Sequence, residues 1–141
     1  MPIEFIQKNI WLVMIAVASG VMLVWPFIAK RFLRAKELGV VEAVQLINRQ
    51  DAVIVDVREP REYRAGHLAG ALNIPLGELP RRCAEIPLEF PAVFVCRSGV
   101  RSRAACELAA AAGVRSPIQL EGGLLAWAAL VDPALQVAPA D

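Results

Sequence analysis

A run of twenty residues without a charged side chain, Ile10 to Ala29, is the strongest constraint on how this chain can fold. A helix of that length extends about 30 Å, which matches the hydrocarbon core of a bilayer. Trp11 and Trp25 lie near the two ends of the run, where interfacial aromatic side chains are common. Pro26 is tolerated in a membrane helix. The run therefore predicts one transmembrane helix.

Two other interpretations of this run compete with a membrane anchor. A buried core helix could have the same composition, but so long an uncharged run near a terminus is unusual for one. A cleaved signal peptide is the second alternative, because Ala16–Ala18 resembles a small-residue cleavage site. However, the apolar run continues from Ala18 to Ala29, and Glu4 balances Lys8 ahead of it. We therefore expect an uncleaved anchor.

Basic residues flank the run unevenly. Lys8 precedes it, whereas Lys30, Arg31, Arg34 and Lys36 follow it. The positive-inside rule then places the N-terminus outside and the C-terminal part in the cytoplasm, with a bacterial inner membrane as the expected location. The expected parts of the chain are an N-terminal flank (1–9), the transmembrane helix (10–29), a basic juxtamembrane linker (30–37), a globular domain (38–130) and a loose C-terminal tail (131–141).

The composition of residues 38–141 excludes some classes of function. This part contains ten Arg, no Lys and twelve acidic residues, so its formal charge of −2 gives no electrostatic reason to expect nucleic-acid binding. Its three cysteines and one histidine match neither a disulfide framework nor a zinc-ligand pattern. We therefore expect free thiols in a reducing compartment and no bound metal.

Short apolar runs alternate with helical patterns through this part of the chain. The apolar runs predict strands at 52–57, 71–74, 92–95 and 118–120, with a further small strand just before the first helix. The helical patterns cover 39–48, 59–65, 101–112 and 123–130. This alternation predicts an α/β fold with a mainly parallel sheet, in which sites lie at the carboxyl ends of the strands.

The most informative motif for function is the segment Cys96 to Ser102, which reads CRSGVRS and lies between a predicted strand and a predicted helix. Backbone N–H groups at a helix N-terminus stabilise negative charge. The same field favours the thiolate form of a cysteine. A cysteine at a strand end is more often a small buried hydrophobe, but a loop with glycine and two arginines predicts an anion cradle around a nucleophilic Cys96.

Four motifs, in order along the chain, resemble those of the rhodanese family. They are Asp56–Glu59 with Glu62–Tyr63, the segment Gly66–Pro75, the loop Cys96–Ser102, and Leu120–Gly123 followed by Trp127. The resemblance covers residues 38–130 and is specific because all four motifs occur together. It implies a three-layer α/β fold with a mainly parallel five-stranded sheet. Single rhodanese domains on an N-terminal anchor are a familiar arrangement.

The resemblance also implies a sulfurtransferase. In that family a cysteine takes a sulfane sulfur from a donor such as thiosulfate, becomes a persulfide, and passes the sulfur to a thiophilic acceptor. The implied partners are a small anionic sulfur donor and a thiol or protein acceptor, and no cofactor is implied. By motif match Cys96 carries the sulfur, and the residues around it are Arg97, Ser98, Gly99, Val100 and Arg101.

The sequence leaves two alternatives open for each of three arginines. Arg97 could line the anion site or face solvent and steer anions toward it. Arg101 could bind the donor or pair with an acidic residue. Arg58 could bind the anion as well, or it could hold loops together through Asp56 or Glu62.

The remaining thiols and aromatic residues are expected to serve packing. Cys106 lies within the predicted alanine-rich helix, and Trp127 within the last helix, so both are expected in the core. His67 is expected to be a hydrogen-bonded loop residue. Cys83 could act as a resolving thiol, although nothing in the sequence places it near Cys96.

Two other functions compete with catalytic sulfur transfer. Phosphatases of a similar fold use Cys-x5-Arg, whereas four residues separate Cys96 from Arg101, and the smaller cradle favours sulfur over phosphate or arsenate. The second competing function is a non-catalytic or sulfur-relay module that docks a membrane partner. The intact Cys96 argues against an inert scaffold, because degenerate members of the family commonly lose this cysteine.

Overall fold

The computed structural model describes residues 2–32 and 36–139, and the chain divides into two compact units between Arg34 and Ala35. Residues 33–35 of the predicted linker and 140–141 of the predicted tail lie outside the described residues. The side chains of Lys30 and Arg31, on which the predicted orientation partly rests, are also outside them.

The N-terminal unit contains two helices, α1 (Pro2–Lys8) and α2 (Ile10–Phe32). They meet at Asn9, whose side chain donates a hydrogen bond to the Phe5 carbonyl at 2.9 Å. Within α2 the segment Ile10–Ala29 has a mean hydropathy of 2.3, and its side chains are exposed rather than buried. This exposure does not fit a soluble core helix, and the length and composition are sufficient to cross a bilayer.

The second unit is built on a sheet of five parallel strands, as the sequence predicts. The strands are β1 (Lys36–Leu38), β2 (Val53–Asp56), β3 (Leu72–Asn73), β4 (Ala92–Val95) and β5 (Ile118–Leu120). Their order across the sheet is β1-β5-β4-β2-β3, so β4 and β5 occupy the interior with β2.

Helices connect the strands at nearly the positions that the sequence indicates. They are α3 (Val40–Gln50), α4 (Pro60–Ala65), α5 (Leu79–Arg82), α6 (Val100–Ala111) and α7 (Gly123–Leu130), with short 3-10 turns at Leu76–Glu78 and Cys83–Glu85. Pro60 occupies the first position of α4, where its missing N–H costs nothing. Gly113 follows the end of α6 with φ 102°, which is the left-handed conformation that terminates many helices.

Helices cover both faces of the sheet, which gives three layers. Side chains alternate along β2 and β4, so Val55 and Phe94 enter the core beneath α5 and α6. Ile54 and Val93 enter the other core, beneath α3 and α7. Because both faces are buried, these strands read in the sequence as uninterrupted apolar runs.

Strand β1 is the small strand expected just before the first helix, and it begins two residues ahead of the predicted domain boundary at residue 38. Lys36 and Glu37, which the sequence places in the linker, pair in parallel with Ile118 and Gln119 of β5. Both of their side chains are exposed, so no apolar signal marks them as strand residues. Leu38 packs against the core beneath α3 and α7, and its carbonyl accepts a hydrogen bond from Glu121 N–H at 2.8 Å.

The C-terminal tail is also more ordered than its sequence predicts. Leu135 and Val137 pack against the core beneath α3 and α7. Between them, the carbonyl of Gln136 approaches Gly66 so closely that any side chain at Gly66 would collide with it. The prediction of a loose tail fails for these residues because two apolar side chains suffice to attach a short extended segment without any helical periodicity.

We expect that β1 contributes measurably to the stability of the second unit. A fragment that begins at residue 39 loses Leu38 from the core and leaves an edge of β5 without its partner. Compared with a fragment of residues 35–141, its free energy of unfolding should be lower by about 2 kcal/mol in urea denaturation. A fragment that begins at residue 30 serves as the control and should match 35–141. Equal stability of the 39–141 and 35–141 fragments would contradict a stabilising role for β1.

Candidate active site

Two loops leave the sheet side by side at its carboxyl edge. Asp56 at the end of β2 is in register with Val95 at the end of β4, and the next residue, Val57, donates its N–H to the Val95 carbonyl at 3.0 Å. The segment that follows β2 and the cysteine loop that follows β4 therefore begin next to each other. This edge is where parallel α/β sheets form their sites.

Cys96 is buried, with 1% of its surface exposed, and its sulfur accepts hydrogen bonds from the loop backbone. Gly99 N–H donates to Sγ at 3.0 Å, and Ser102 N–H donates to it at 3.3 Å. Helix α6 begins at Val100, so both donors belong to the loop–helix junction. Hydrogen bonds and the positive end of a helix both stabilise an anion, and the environment of this sulfur therefore suits a thiolate.

Ser102 connects the sulfur to the loop backbone, a contact that the sequence did not predict. Its side chain is fully buried, and its Oγ lies 3.5 Å from Cys96 Sγ. The same hydroxyl donates to the Gly99 carbonyl at 3.0 Å. Cys96 can donate to Ser102 Oγ as a thiol and can accept from it as a thiolate. The available signal was the spacing of three residues from Gly99 to Ser102, which places both on one side of a helical turn.

The start of α7 supports the cysteine loop from behind. Leu124 N–H donates to the Cys96 carbonyl at 2.8 Å, and Leu125 N–H donates to the Arg97 carbonyl at 3.1 Å. Gly123 has φ 61°, and a Cβ atom there would lie only 2.5 Å from the Cys96 carbonyl oxygen. Glycine is therefore required for α7 to approach the loop this closely.

Gln119 of β5 holds the third loop carbonyl. Its side chain is buried, and its Nε2 donates to the Gly99 carbonyl oxygen at 2.6 Å. The apolar pattern of residues 118–120 predicts only a strand. The signal that could have revealed this residue is an amide side chain in the middle of an otherwise apolar, buried strand.

The contacts of Arg58 match the structural alternative that the sequence left open, in which it holds the neighbouring loop together. Its side chain is fully buried and forms a two-pronged pair with Asp56, with Nη2 2.7 Å and Nε 2.9 Å from the carboxylate oxygens. Nη2 also donates to the Gly66 carbonyl at 2.7 Å. Its Nη1 is also enclosed, without a hydrogen-bond partner among the described residues, so a part for Arg58 in binding the anion stays a prediction.

Arg101 pairs with Glu62 across 39 positions of sequence. Its two terminal nitrogens lie 2.7 and 2.9 Å from the two carboxylate oxygens, with the Glu62 side chain 1% exposed and that of Arg101 27% exposed. Hydrogen bonding from Arg101 holds the pKa of Glu62 below its ordinary value, against the opposing effect of burial. Hydrogen bonding from Glu62 raises the pKa of Arg101. The pair therefore fixes the guanidinium at the start of α6 and ties α6 to α4.

The remaining side chains of the cysteine loop differ in how much of their surface is exposed. Ser98 and Val100 are exposed, with 76% of the Val100 residue surface accessible. Arg97 is half-buried, and its Nε is enclosed without a hydrogen-bond partner among the described residues. That nitrogen remains available to a ligand.

The other thiols and the histidine occupy structural positions. Cys83 and Cys106 lie in the core beneath α5 and α6, where burial raises the pKa of both thiols, that of Cys106 to about 12. His67 stacks on Tyr63 with ring centroids 3.7 Å apart, and its Nδ1 lies 2.8 Å from the Tyr63 carbonyl. Trp127 packs against the opposite core. Among the described residues, no cluster of three His, Cys, Asp or Glu side chains has a metal-binding arrangement.

Comparison with known proteins agrees with this geometry. The sequence model of the rhodanese-like domain matches residues 40–130, which is most of the second unit. The chain belongs to the rhodanese family. Its fold is accordingly the rhodanese α/β fold, with the cysteine loop at the carboxyl edge of the sheet.

Several rhodanese relatives are named as sulfurtransferases. A sulfurtransferase of Allochromatium vinosum is 38% identical over 84 residues, which cover 60% of this chain and 78% of that protein. The thiosulfate sulfurtransferase GlpE of Pseudoalteromonas translucida is 28% identical over 94 residues, which cover 67% of this chain and 90% of that protein. The solved structure of the human single-domain sulfurtransferase TSTD1 is 29% identical, with a TM-score of 0.62 over 68% of this chain and 97% of that one. These relatives support sulfur transfer as the general activity of this rhodanese domain.

The Glu62–Arg101 pair makes stability depend on pH. Because the pKa of Glu62 is lower in the folded state than its ordinary value of 4.5, the pair stabilises the domain above that pH and is lost as the pH falls below it. At neutral pH, Glu62→Gln should lower the free energy of unfolding by about 2 kcal/mol, and the difference should shrink in acid. Urea denaturation of both proteins between pH 3 and pH 7 measures this.

Glu85→Gln is the matched control for this experiment. Glu85 also pairs with an arginine, Arg82, and its pKa is also lowered, but both side chains are substantially exposed. Solvent screens such a pair, so this variant should change stability little. If the difference in unfolding free energy between wild type and Glu62→Gln stays constant with pH, the pH dependence does not come from the Glu62–Arg101 pair.

Proposed function

We propose that this chain is a membrane-anchored sulfurtransferase that moves sulfane sulfur from thiosulfate or a persulfide donor to a thiophilic acceptor through a persulfide on Cys96. The observation that carries the proposal is the pair of backbone N–H groups, from Gly99 and Ser102, that donate to Cys96 Sγ beside the first turn of α6. A sulfur anion is stabilised at such a position before any substrate arrives.

The proposed reaction needs no cofactor and no external oxidant. The Cys96 thiolate attacks the outer sulfur of thiosulfate, a sulfur–sulfur bond forms to Cys96, and the original sulfur–sulfur bond breaks as sulfite leaves with its electron pair. An acceptor thiolate, or cyanide in an assay, then attacks the terminal sulfur of the persulfide. This second displacement releases the Cys96 thiolate again. A general base is unnecessary when the thiol is already ionised.

The groups around the loop suit the anions in this reaction. The loop N–H groups and the start of α6 attract the donor and stabilise the leaving sulfite. The Arg97 Nε, enclosed and without a hydrogen-bond partner in the described part of the chain, can donate to an oxygen of the sulfur donor. Arg101 contributes positive charge at the loop but has two of its nitrogens engaged by Glu62, so we assign it a weaker part in binding.

The size of the loop favours sulfur over phosphate as the transferred group. Cys96 and Arg101 are separated by four residues, one fewer than in the phosphatases of similar fold. The shortened loop already folds two of its N–H groups onto the Cys96 sulfur itself. Less room is left for the three equatorial oxygens of a phosphoryl group than for one additional sulfur atom.

Replacing the sulfur carrier should abolish transfer. The full-length Cys96→Ser protein in detergent should lose thiosulfate:cyanide sulfur transfer by at least about a thousandfold, because a serine hydroxyl is neither ionised nor able to form a persulfide. Mass spectrometry of the wild type after thiosulfate treatment should show one added sulfur on the Cys96 peptide. Cys83→Ser, which removes a buried thiol elsewhere in the core, should retain transfer.

The same assay separates the competing functions. A wild-type protein that forms the Cys96 persulfide but does not turn over with cyanide or small thiols would indicate a sulfur-relay module for a protein partner. Absence of any persulfide on Cys96 would contradict sulfur transfer altogether. Hydrolysis of an aryl phosphate that depends on Cys96 would favour the phosphatase instead.

We also propose that α2 anchors the rhodanese domain at the cytoplasmic face of a bacterial inner membrane. Support comes from the uncharged segment Ile10–Ala29 and from the basic residues that follow it, whereas only Lys8 precedes it. A cytoplasmic location would also keep Cys96 reduced and ready to accept sulfur.

Reporter fusions test this topology. Green fluorescent protein fused after Asp141 should fluoresce, and alkaline phosphatase fused at the same position should be inactive, because the latter requires the oxidising periplasm. Membrane fractionation should find the full-length chain in the membrane, and a fragment of residues 35–141 should stay in the soluble fraction as the control. An active phosphatase fusion would place the domain on the opposite side.

A further inference from the structure

The loop that leads into β4 exposes two large apolar side chains at the amino edge of the sheet, opposite the cysteine loop. Leu88 is 68% exposed and Phe90 is 44% exposed. Pro87 and Pro91 flank them and restrict the backbone on either side. Single apolar residues are common on protein surfaces, but two such large side chains in one short loop favour a contact with something apolar.

This loop lies in the middle of the amino edge. β4 is flanked by β5 and β2, and the Pro91 carbonyl accepts a hydrogen bond from Val53 N–H, at the start of β2, at 2.8 Å. Because the strands are parallel, β1 also begins at this edge, with Lys36, two strands away from β4. Neighbouring strands lie about 4.8 Å apart, so about 10 Å separates the start of β1 from the start of β4.

The chain enters the domain at this same edge from the apolar helix α2. Beyond Ala29, α2 continues for three residues to Phe32, which adds about 4.5 Å and stays within the thickness of a lipid headgroup layer. Three residues then connect Phe32 to Lys36, and a connection of that length spans at most about 14 Å. A membrane that holds α2 is therefore within reach of the amino edge.

The charges at the amino edge are compatible with an anionic lipid surface. Among the described residues, three basic and two acidic side chains begin a strand or lie within four positions ahead of one, and all five are exposed: Lys36, Arg49, Arg115, Asp51 and Glu89. The sequence supplies three further basic residues between Ala29 and Ala35. Basic side chains beside a membrane are attracted to anionic headgroups.

We propose that the loop of Leu88 and Phe90 inserts into the headgroup layer of the membrane that holds α2, with the amino edge of the sheet against the lipid. The inference rests on the proposed anchor and not on sulfur transfer. Two apolar side chains alone bind a membrane weakly, whereas the connection to α2 makes the contact intramolecular. A fragment without α2 therefore stays soluble.

The proposed contact directs the active site toward water. Cys96 follows the last residue of β4, four residues beyond Ala92, and each residue of a strand advances about 3.3 Å. The sulfur carrier then lies about 13 Å farther from the lipid than the start of β4. Sulfur donors and acceptors would reach the cysteine loop from the aqueous side, without crossing the headgroup layer.

A fluorescent label at residue 88 tests the proposal in the full-length protein, in vesicles of phosphatidylcholine and phosphatidylglycerol. Leu88→Cys is made in a Cys96→Ser background, because the two remaining cysteines, Cys83 and Cys106, are buried. Lipids that carry a nitroxide near the headgroup should quench this label at least about threefold more strongly than a label at the control position. Phe90→Cys is the second labelled variant if Leu88→Cys does not fold.

Val41→Cys in the same background is the matched control. Val41 is 63% exposed, comparable with Leu88, but it lies in the first turn of α3, after β1 has ended, and so at the carboxyl edge. Equal quenching at the two positions, in protein that sediments with the vesicles, would overturn the proposal. So would a label at 88 that enters an apolar environment only at high protein-to-lipid ratio and is not quenched, which would indicate contact between copies.

A charge in the loop distinguishes insertion of the loop from insertion of the fluorophore. Adding Phe90→Asp to labelled Leu88→Cys should lower the quenching to the level at Val41, because a carboxylate is repelled by the anionic surface and is costly to bury. Undiminished quenching would show that the fluorophore enters the lipid by itself, and would overturn the proposal. Failure of the anchor is distinct, since the unlabelled chain would then not sediment with vesicles at all.

Discussion

The cysteine loop keeps its shape only while the carbonyl oxygens of Cys96, Arg97 and Gly99 find hydrogen-bond donors in the elements packed against it. Buried carbonyls need donors. The first N–H groups of α7 supply them for Cys96 and Arg97, and Gln119 of β5 supplies one for Gly99 beside the Ser102 hydroxyl and the Arg103 N–H of α6. The tight approach at Gly123 and the buried amide in β5 therefore both follow from the demands of the cysteine loop.

On the other side of the site, two ion pairs hold the neighbouring segments in place. The buried Asp56–Arg58 pair shapes the loop after β2 and reaches the Gly66 carbonyl, while Glu62–Arg101 joins α4 to α6. Breaking a buried pair leaves an uncompensated charge, so each pair fixes one arrangement of its segments more than it adds net stability. The cysteine loop therefore lies between the uncharged hydrogen-bond donors of β5 and α7 on one side and the two ion pairs on the other.

The sequence predicts this architecture well where burial is complete. The sequence locates β4, β5 and the helices that follow them closely because both faces of the sheet are covered there. For the charged edge strand β1 it predicts a strand but not that Lys36 and Glu37 belong to it, and for the packed tail around Gln136 it carries no signal. The candidate site, too, is predicted in part by the sequence and in part not. Its cysteine and loop can be identified from local spacing, but the choice of Asp56 for Arg58 and of Glu62 for Arg101 depends on contacts that only folding brings about.

Both edge strands of the sheet are short. β1 has three residues, with exposed Lys36 and Glu37, and β3 has two residues and is followed closely by Pro75. Charged side chains, brief strands and nearby proline all discourage one sheet from adding to another. Copies of this domain crowded together on one surface should therefore remain separate rather than polymerise edge to edge, which leaves the cysteine loop of each copy free to meet its partners.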